Sequence, residues 1–310
     1  MPNDHGENTQ PPIQPLTFAE IENHLWTLSQ TDTKFLGHPD ILQGRSWKEW
    51  ESGKCMLVND DQPHEPATFW LVGQISHIRF WLYADGGWSR QLEKPFTSHH
   101  ATAFLVKPNA GRLSDLFENA LACTRVEGFN QEPGVTIKDH LKRRPERINE
   151  DCFQLKHRVF EKSDVNPGSV DRPRQEAQGQ QGLGYTVTWR EMYEDWPLQN
   201  MPCRHRDSRE ALERLCNAEG CEHKWSLLEA YDEDELPLPP NEYEKLKGKT
   251  VFCSVSISRW EIERKYSFSL HIVQLQILKP PPLIRGTRSI PSRREDDILQ
   301  SPTKRMRTRR

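Results

Sequence analysis

Apolar residues recur with different periods along this chain, and each period predicts a different element. Phe18, Ile21, Leu25 and Leu28 fall at helical spacing behind Thr17, which stands three residues before Glu20 as in a capping box, so a helix is predicted there. From Ser46 to Lys107 the pattern turns to strands. Its centre, Thr68 to Tyr83, is too rich in β-branched and aromatic residues for a comfortable helix. Asp85-Gly86-Gly87 then predicts a tight turn, with Trp88 onward returning as a partner strand. Ala101 to Val106 reads as a further strand, and Leu113, Leu116, Phe117, Ala120 and Leu121 mark an amphipathic helix.

The densely charged stretch from Val135 to Val165 reads as helix broken at Pro145. Residues 166–184 are poor in apolar side chains and rich in Gly, Gln and Pro, the composition of a linker or a long loop. Helical patterning resumes from Ser208 to Leu228, through Leu212, Leu215, Trp225, Leu227 and Leu228. An acidic, Pro-rich connector from Asp232 to Pro240 follows. Two long alternating strands, Thr250 to Ile262 and Tyr266 to Leu278, are joined by Glu263-Arg264-Lys265. The organisation expected is a disordered leader (1–15), an α+β domain (16–165), the linker (166–184), a C-terminal region with a long β-hairpin (185–280) and a disordered tail (281–310).

Composition narrows the class. The 310 residues are 35% hydrophobic and 28% charged, with a mean hydropathy of -0.83, yet they include 10 Trp, 12 Phe and 6 Tyr. Polar tails around an aromatic-rich core fit those figures. No apolar run reaches membrane-spanning length and no secretory signal opens the chain, so a soluble, unsecreted protein is expected. The seven cysteines are Cys55, Cys123, Cys152, Cys203, Cys216, Cys221 and Cys253, an odd number that fits reduced thiols better than a disulfide framework. Net charge is -3 but unevenly spread: residues 279–310 hold ten Lys and Arg against three Asp and Glu, leaving the other 278 residues at -10. Such a body repels phosphate unless a local basic groove reverses the field.

The two strand regions are the strongest structural motif. Leu71 to Trp81 and Val251 to Trp260 each alternate, each place an Arg near a Trp, and each run into a turn and a partner strand. This resembles the first hairpin of an OB fold, the five-stranded barrel of single-strand nucleic-acid binders in replication and at chromosome ends. The resemblance covers 68–107 and 250–278 and implies an α+β protein with one or two OB-like antiparallel barrels and accessory helices. The two regions either make separate barrels or pair into one across the intervening chain. OB binders stack bases on exposed rings and follow phosphates with Arg and Lys. Arg79, Trp81, Trp88 and Arg90 in the first region, and Arg259, Trp260, Lys265 and Tyr266 in the second, are the candidates. The competing reading is that these rings fill barrel cores or a partner interface.

Other chemistry is weaker. Cys203, His205, Cys216, Cys221 and His223 are enough soft ligands for a structural zinc, although no Cys-x2-Cys knuckle is present and a buried Cys216 on an ordinary helix explains them as well. His99-His100 reads as loop. Gly179 to Gly184 is glycine-rich but has no strand before it or helix after it, and no Walker A, Gly-x-Ser-x-Gly or His-Glu-x-x-His motif occurs. The expectation is a non-enzyme without an obligate cofactor. Lys142-Arg143-Arg144, Arg147 and Lys156-His157-Arg158 offer a basic stretch for phosphate or an acidic partner, or a solvated mixed-charge helix.

The tail carries Lys304, Arg305, Arg307, Arg309 and Arg310, a cationic cluster that an import receptor reads. Ser301-Pro302-Thr303-Lys304 resembles a proline-directed kinase site, where phosphorylation of Ser301 would weaken that signal. The function expected is therefore a nuclear single-stranded DNA-binding subunit of a chromosome-maintenance or telomere-type complex, with other nuclear subunits as partners. The alternative is a scaffold in such a complex that touches no nucleic acid.

Overall fold

The computed structural model describes residues 16–78, 80–109, 111–125, 136–138, 141–143, 151–162, 189–193, 197–218, 223–262 and 265–280. The leader, the 166–184 stretch and the tail lie outside them. Helix α1 (Phe18–Ser29) begins where the pattern places it: the Glu20 amide donates to Thr17 Oγ1 at 3.3 Å and the Thr17 amide donates to Glu20 Oε2 at 2.7 Å. Three strands follow, β1 (Arg45–Glu51), β2 (Lys54–Asn59) and β3 (Gln62–Pro66), then β4 (Thr68–Ile75). Next come β5 (His100–Val106) and α2 (Gly111–Arg125). Short strands β6 (Thr136–Lys138) and β7 (Leu141–Arg143) precede β8 (Asp151–Arg158) and β9 (Phe160–Lys162). The chain continues through α3 (Trp189–Tyr193), α4 (Arg206–Asn217), β10 (His223–Trp225) and β11 (Glu229–Tyr231). It ends in the long hairpin β12 (Thr250–Ile262) and β13 (Lys265–Ile277).

The protein is mixed α+β, built on one large sheet. β12 pairs antiparallel with β4, β4 with β5 and β5 with β8; β8 then pairs parallel with β13, and β13 antiparallel with β12. The hydrogen-bonded pairings of these five strands thus return to the strand they started from. β1, β2 and β3 extend the sheet outward from the far half of β12, through the pairing of Ser258 with Met56. Strands from both sides of residues 166–184 therefore share one sheet, and β4 and β12, the cores of the two alternating regions, are direct neighbours.

Alternation sorts the side chains onto two faces. Phe69, Leu71, Ala103, Leu105, Phe153, Leu155, Val255, Leu270 and Leu275 belong to one buried core. Gly73 lies in this packed region because a Cβ there would stand 2.4 Å from Leu105 Cγ. The opposite face of β4 and β12 is covered by helices: Trp70, Val72 and Phe252 pack against Phe18, Leu25, Leu113 and Leu116.

Three local expectations are corrected. The 135–165 stretch is not helical where it is described; it contributes β6 to β9. Its apolar residues Cys152, Phe153 and Leu155 are completely buried, Phe153 and Leu155 on the core face of β8, while Lys156 and Arg158 alternate onto the face that carries Cys152. The chain after the Gly86-Gly87 turn does not return as a strand at Trp88. It forms short 3-10 turns at Arg90–Leu92 and Phe96–Ser98, and the partner of β4 is β5, which starts at His100 in what reads as loop. Finally, the helix expected over 208–228 stops at Asn217, and Trp225 and Leu228 serve strand packing instead.

Candidate nucleic-acid interface

One polar row crosses the outer face of the sheet. Beyond the end of β4, Trp81 bridges to Thr102 of β5, with amide-to-carbonyl distances of 2.8 and 3.3 Å in the two directions. Thr102 is the register partner of Lys156 in β8, Lys156 of His271 in β13, and His271 of Ser256 in β12. Laterally paired residues share a face and stand about 5 Å apart, so Trp81, Thr102, Lys156, His271 and Ser256 form a continuous stripe. Phe80 and Leu82, on either side of Trp81, are buried, whereas Trp81 itself is 39% exposed. Its ring lies beside the Gly86-Gly87 turn, where a Cβ on Gly87 would stand 2.9 Å from Trp81 Cδ1.

Neighbouring positions add cations and hydroxyls. Arg158 is exposed and is the register partner of His100; the His100 and His271 rings are 6.5 Å apart. The Lys156 ammonium donates to Ser269 Oγ at 2.8 Å, and Ser258 Oγ and His271 Nε2 share a hydrogen bond of 2.7 Å. Lys54 of β2 places its ammonium 5.8 Å from the centre of the Trp260 ring. Farther along β5 and β8 the same face becomes apolar, with Phe104, Val106 and Cys152 forming a small buried cluster.

The electrostatics are one-sided. Burial first, and then the charges of Lys54, His100, Lys156 and His157, push His271 down to about 3. Burial and the charges of Lys156 and Arg158 push His100 down to about 4. Both rings are neutral at pH 7.

The residues singled out from sequence separate clearly. Trp81 is on the stripe. Trp260 lies on the same face, beside Lys54. Trp88 is 7% exposed and donates its indole N–H to the Lys94 carbonyl at 2.9 Å, and Tyr266 is 3% exposed in the core. The Arg90 guanidinium pairs with Asp207 and Glu210 of α4. Arg259 lies between the rings of Trp47 (4.9 Å) and Tyr266 (4.1 Å) on the face of Phe268. Arg79 lies outside the described residues; Lys265 opens β13, opposite Ile262.

The sulfur and imidazole set does not assemble among the described residues. Cys203 is half-buried, and burial followed by the charge of Asp85 pushes its thiol up to about 11. His205 is the N-cap of α4, Cys216 is exposed near its end, His223 pairs with Lys162, and Cys221 lies outside the described residues. No group of three or more His, Cys, Asp or Glu side chains able to hold a metal occurs among the described residues. Ser301, Lys304, Arg305, Arg307, Arg309 and Arg310 also lie outside them. No described helix is long and apolar enough to cross a membrane.

His100, His271 and Lys54 are the site residues that motif reading missed, and Lys156 was read only as part of a charged helical stretch. Their signal was the polar half of each strand's alternation, His100 and Thr102, Lys156 and Arg158, Ser269 and His271, which reads as unremarkable surface until neighbours in the sheet are known. Comparison of the chain with protein-family models, with curated proteins and with solved structures finds no match.

Proposed function

We propose that β4, β5, β8, β12 and β13 make an OB-type barrel and that the protein is a nuclear subunit binding single-stranded nucleic acid on the outer face of β5 and β8. The support for the barrel is the order and sense of the pairings: taken in chain order, strands one to five are joined one–two–three–five–four–one, with three–five the parallel pair. One such barrel uses both alternating regions. The observation that carries the binding reading is the stripe itself, where an exposed Trp81 shares a row with Lys156 and His271. An indole stacks on any base, and cations beside it follow the phosphates, which is the sequence-tolerant mode of single-strand binders. The stripe is the local basic groove that a -10 body requires. The basic tail supplies import, and other subunits of a chromosome-maintenance complex are the partners; DNA is the favoured strand.

The test is fluorescence anisotropy with a labelled dT20 oligonucleotide. Binding should weaken steeply between 50 and 200 mM salt as counterions are released, by about tenfold or more for several phosphate contacts. Trp81→Ala should weaken it by about tenfold, within the 1–3 kcal/mol range of a stacked base. Absence of binding at low salt, with a stoichiometric protein partner co-purifying, would establish the scaffold reading instead.

A further inference from the structure

Two imidazoles stand on the stripe and beside it. His100 and His271 come from strands that are not neighbours, β5 and β13, and face each other across β8 with 6.5 Å between ring centres. We propose that His100, Lys156 and His271 form a phosphate-binding subsite that takes up protons as the phosphate arrives, so that nucleic acid is bound more tightly as pH falls. This rests on the nucleic-acid reading above and specifies the chemistry of that site.

The geometry is that of a cluster of donors around partly buried hydroxyls. The Lys156 ammonium is anchored on Ser269 Oγ, and His271 Nε2 on Ser258 Oγ, from two adjacent strands. The charged groups acting on His271 are Lys54 from β2, His100 from β5, and Lys156 and His157 from β8; β12 contributes the neutral Ser258. Those acting on His100 are Lys156 and Arg158 from β8 and His99 from its own side. Every one of these influences opposes a second positive charge. Among the described residues, carboxylates meet this cluster at its margin, where Glu51 lies 3.9 Å from Lys54 Nζ and Glu161 acts on His157.

A phosphodiester laid along the row reverses the balance. Its negative charge, close to both rings, offsets the neighbouring cations and part of the burial that keep them neutral, and each imidazole then gains a proton and a second N–H donor. The bound state therefore carries more protons than the free one, and linkage requires affinity to rise as pH falls through the range of the bound imidazoles. Any phosphate chain of suitable charge, free or within a nucleic acid, presents the same chemistry.

The experiment uses the full chain with two probes at constant ionic strength. Anisotropy with dT20 should show affinity rising about tenfold from pH 7.5 to 5.5, one pK unit of net linkage. The His100→Gln/His271→Gln variant should change less than about twofold over the same range, whereas Trp81→Ala should keep the full pH dependence while binding more weakly. A second measurement needs no variant: proton NMR titration of the wild-type imidazoles should show two rings titrating at low pH, and tripolyphosphate should move both titrations upward. If dT20 binds with no pH dependence and tripolyphosphate leaves both titrations in place, the proton-linked subsite is overturned and the nucleic-acid reading stands. If tripolyphosphate moves them but dT20 does not bind at any pH, the subsite stands and the nucleic-acid reading falls. If neither probe acts, both fall.

Discussion

The carboxylate of Asp85, in the turn beyond β4, accepts a hydrogen bond of 2.7 Å from the hydroxyl of Ser208, in the first turn of α4. Asp85 is completely buried, and it also accepts from the amides of Gly87 (2.9 Å) and Arg204 (2.7 Å). A single side chain thus fixes the Gly86-Gly87 turn, the segment before α4 and α4 itself, and through the turn the place where Trp81 rests. Asp85→Ala would leave the Gly87 and Arg204 amides without their acceptor in a part-buried setting, with only the His205 carbonyl, 2.8 Å away, left for the Ser208 hydroxyl. The expected loss is about 3–5 kcal/mol in urea unfolding, with Ser208→Ala costing about 1–2 kcal/mol. A loss below about 1 kcal/mol for Asp85→Ala would show that the turn holds without it.

Trp81 and Trp88 should part company. Trp88→Ala removes a ring packed against Phe96, 5.1 Å between centroids, and is expected to cost about 3–5 kcal/mol of stability. Trp81→Ala should shift the melting temperature by only a degree or two, about 0.5 kcal/mol, because its ring is far more exposed than that of Trp88. Thermal melts of the two variants, run beside dT20 binding, check this directly. Equal destabilisation would place Trp81 in the structural framework and not in the interface.

Arg259 should behave as a structural residue. Its guanidinium is held between Trp47 and Tyr266, so Arg259→Lys loses stacking on two rings, worth about 1 kcal/mol. Affinity for dT20 should stay within about twofold of wild type, since the charge is retained and lies on the other face from the stripe. A tenfold loss of binding with unchanged stability would return Arg259 to the interface.

Stability should fall as the solution is acidified through pH 6. In the folded chain burial pushes His271 down to about 3 and His100 to about 4, both below the ordinary imidazole value of about 6.5, and His157 is lowered as well. Above 6.5 neither state is protonated and the full stability is present. Below it the unfolded chain takes up protons that the folded chain refuses, so each group erodes stability by up to about 1.4 kcal/mol per pH unit until its folded value is reached. Urea midpoints at pH 7.5, 6.5 and 5.5 should decline, and His271→Gln should flatten the decline. A midpoint independent of pH over that range would mean the rings are not held neutral.

The parts legible in the sequence were those whose signal is local. β12 and β13 were readable to within a residue or two because thirteen-residue alternation has no other explanation, and α1 because Thr17 and Glu20 announce its start. β8 was hidden. Its buried Cys152, Phe153 and Leu155 stand among Asp151, Lys156 and Arg158, and charge density outweighed a three-residue apolar signal. The site was hidden for a different reason. Trp81, Thr102, Lys156, His271 and Ser256 are lateral neighbours contributed by five segments spread over the chain, and no spacing rule along one strand connects them. Trp88 and Tyr266 misled for the complementary reason: residue type suggests a stacking ring, while burial is decided by which way the strand or turn faces.

The parallel pairing of β8 with β13 has a consequence for how the chain is made. β12 and β13 meet across a short turn and form quickly, but the sheet between β4 and β8 waits for them with both flanks unsatisfied. During synthesis, everything up to about residue 250 emerges as a strip whose β4 and β8 backbones offer open hydrogen-bonding edges to any passing strand. Completion of the pairings is thus deferred to β12 and β13 and depends on contacts of long sequence separation, a topology that folds slowly. A ribosome stalling before Thr250 would release a polypeptide with good secondary structure and adhesive borders, one for chaperones to hold.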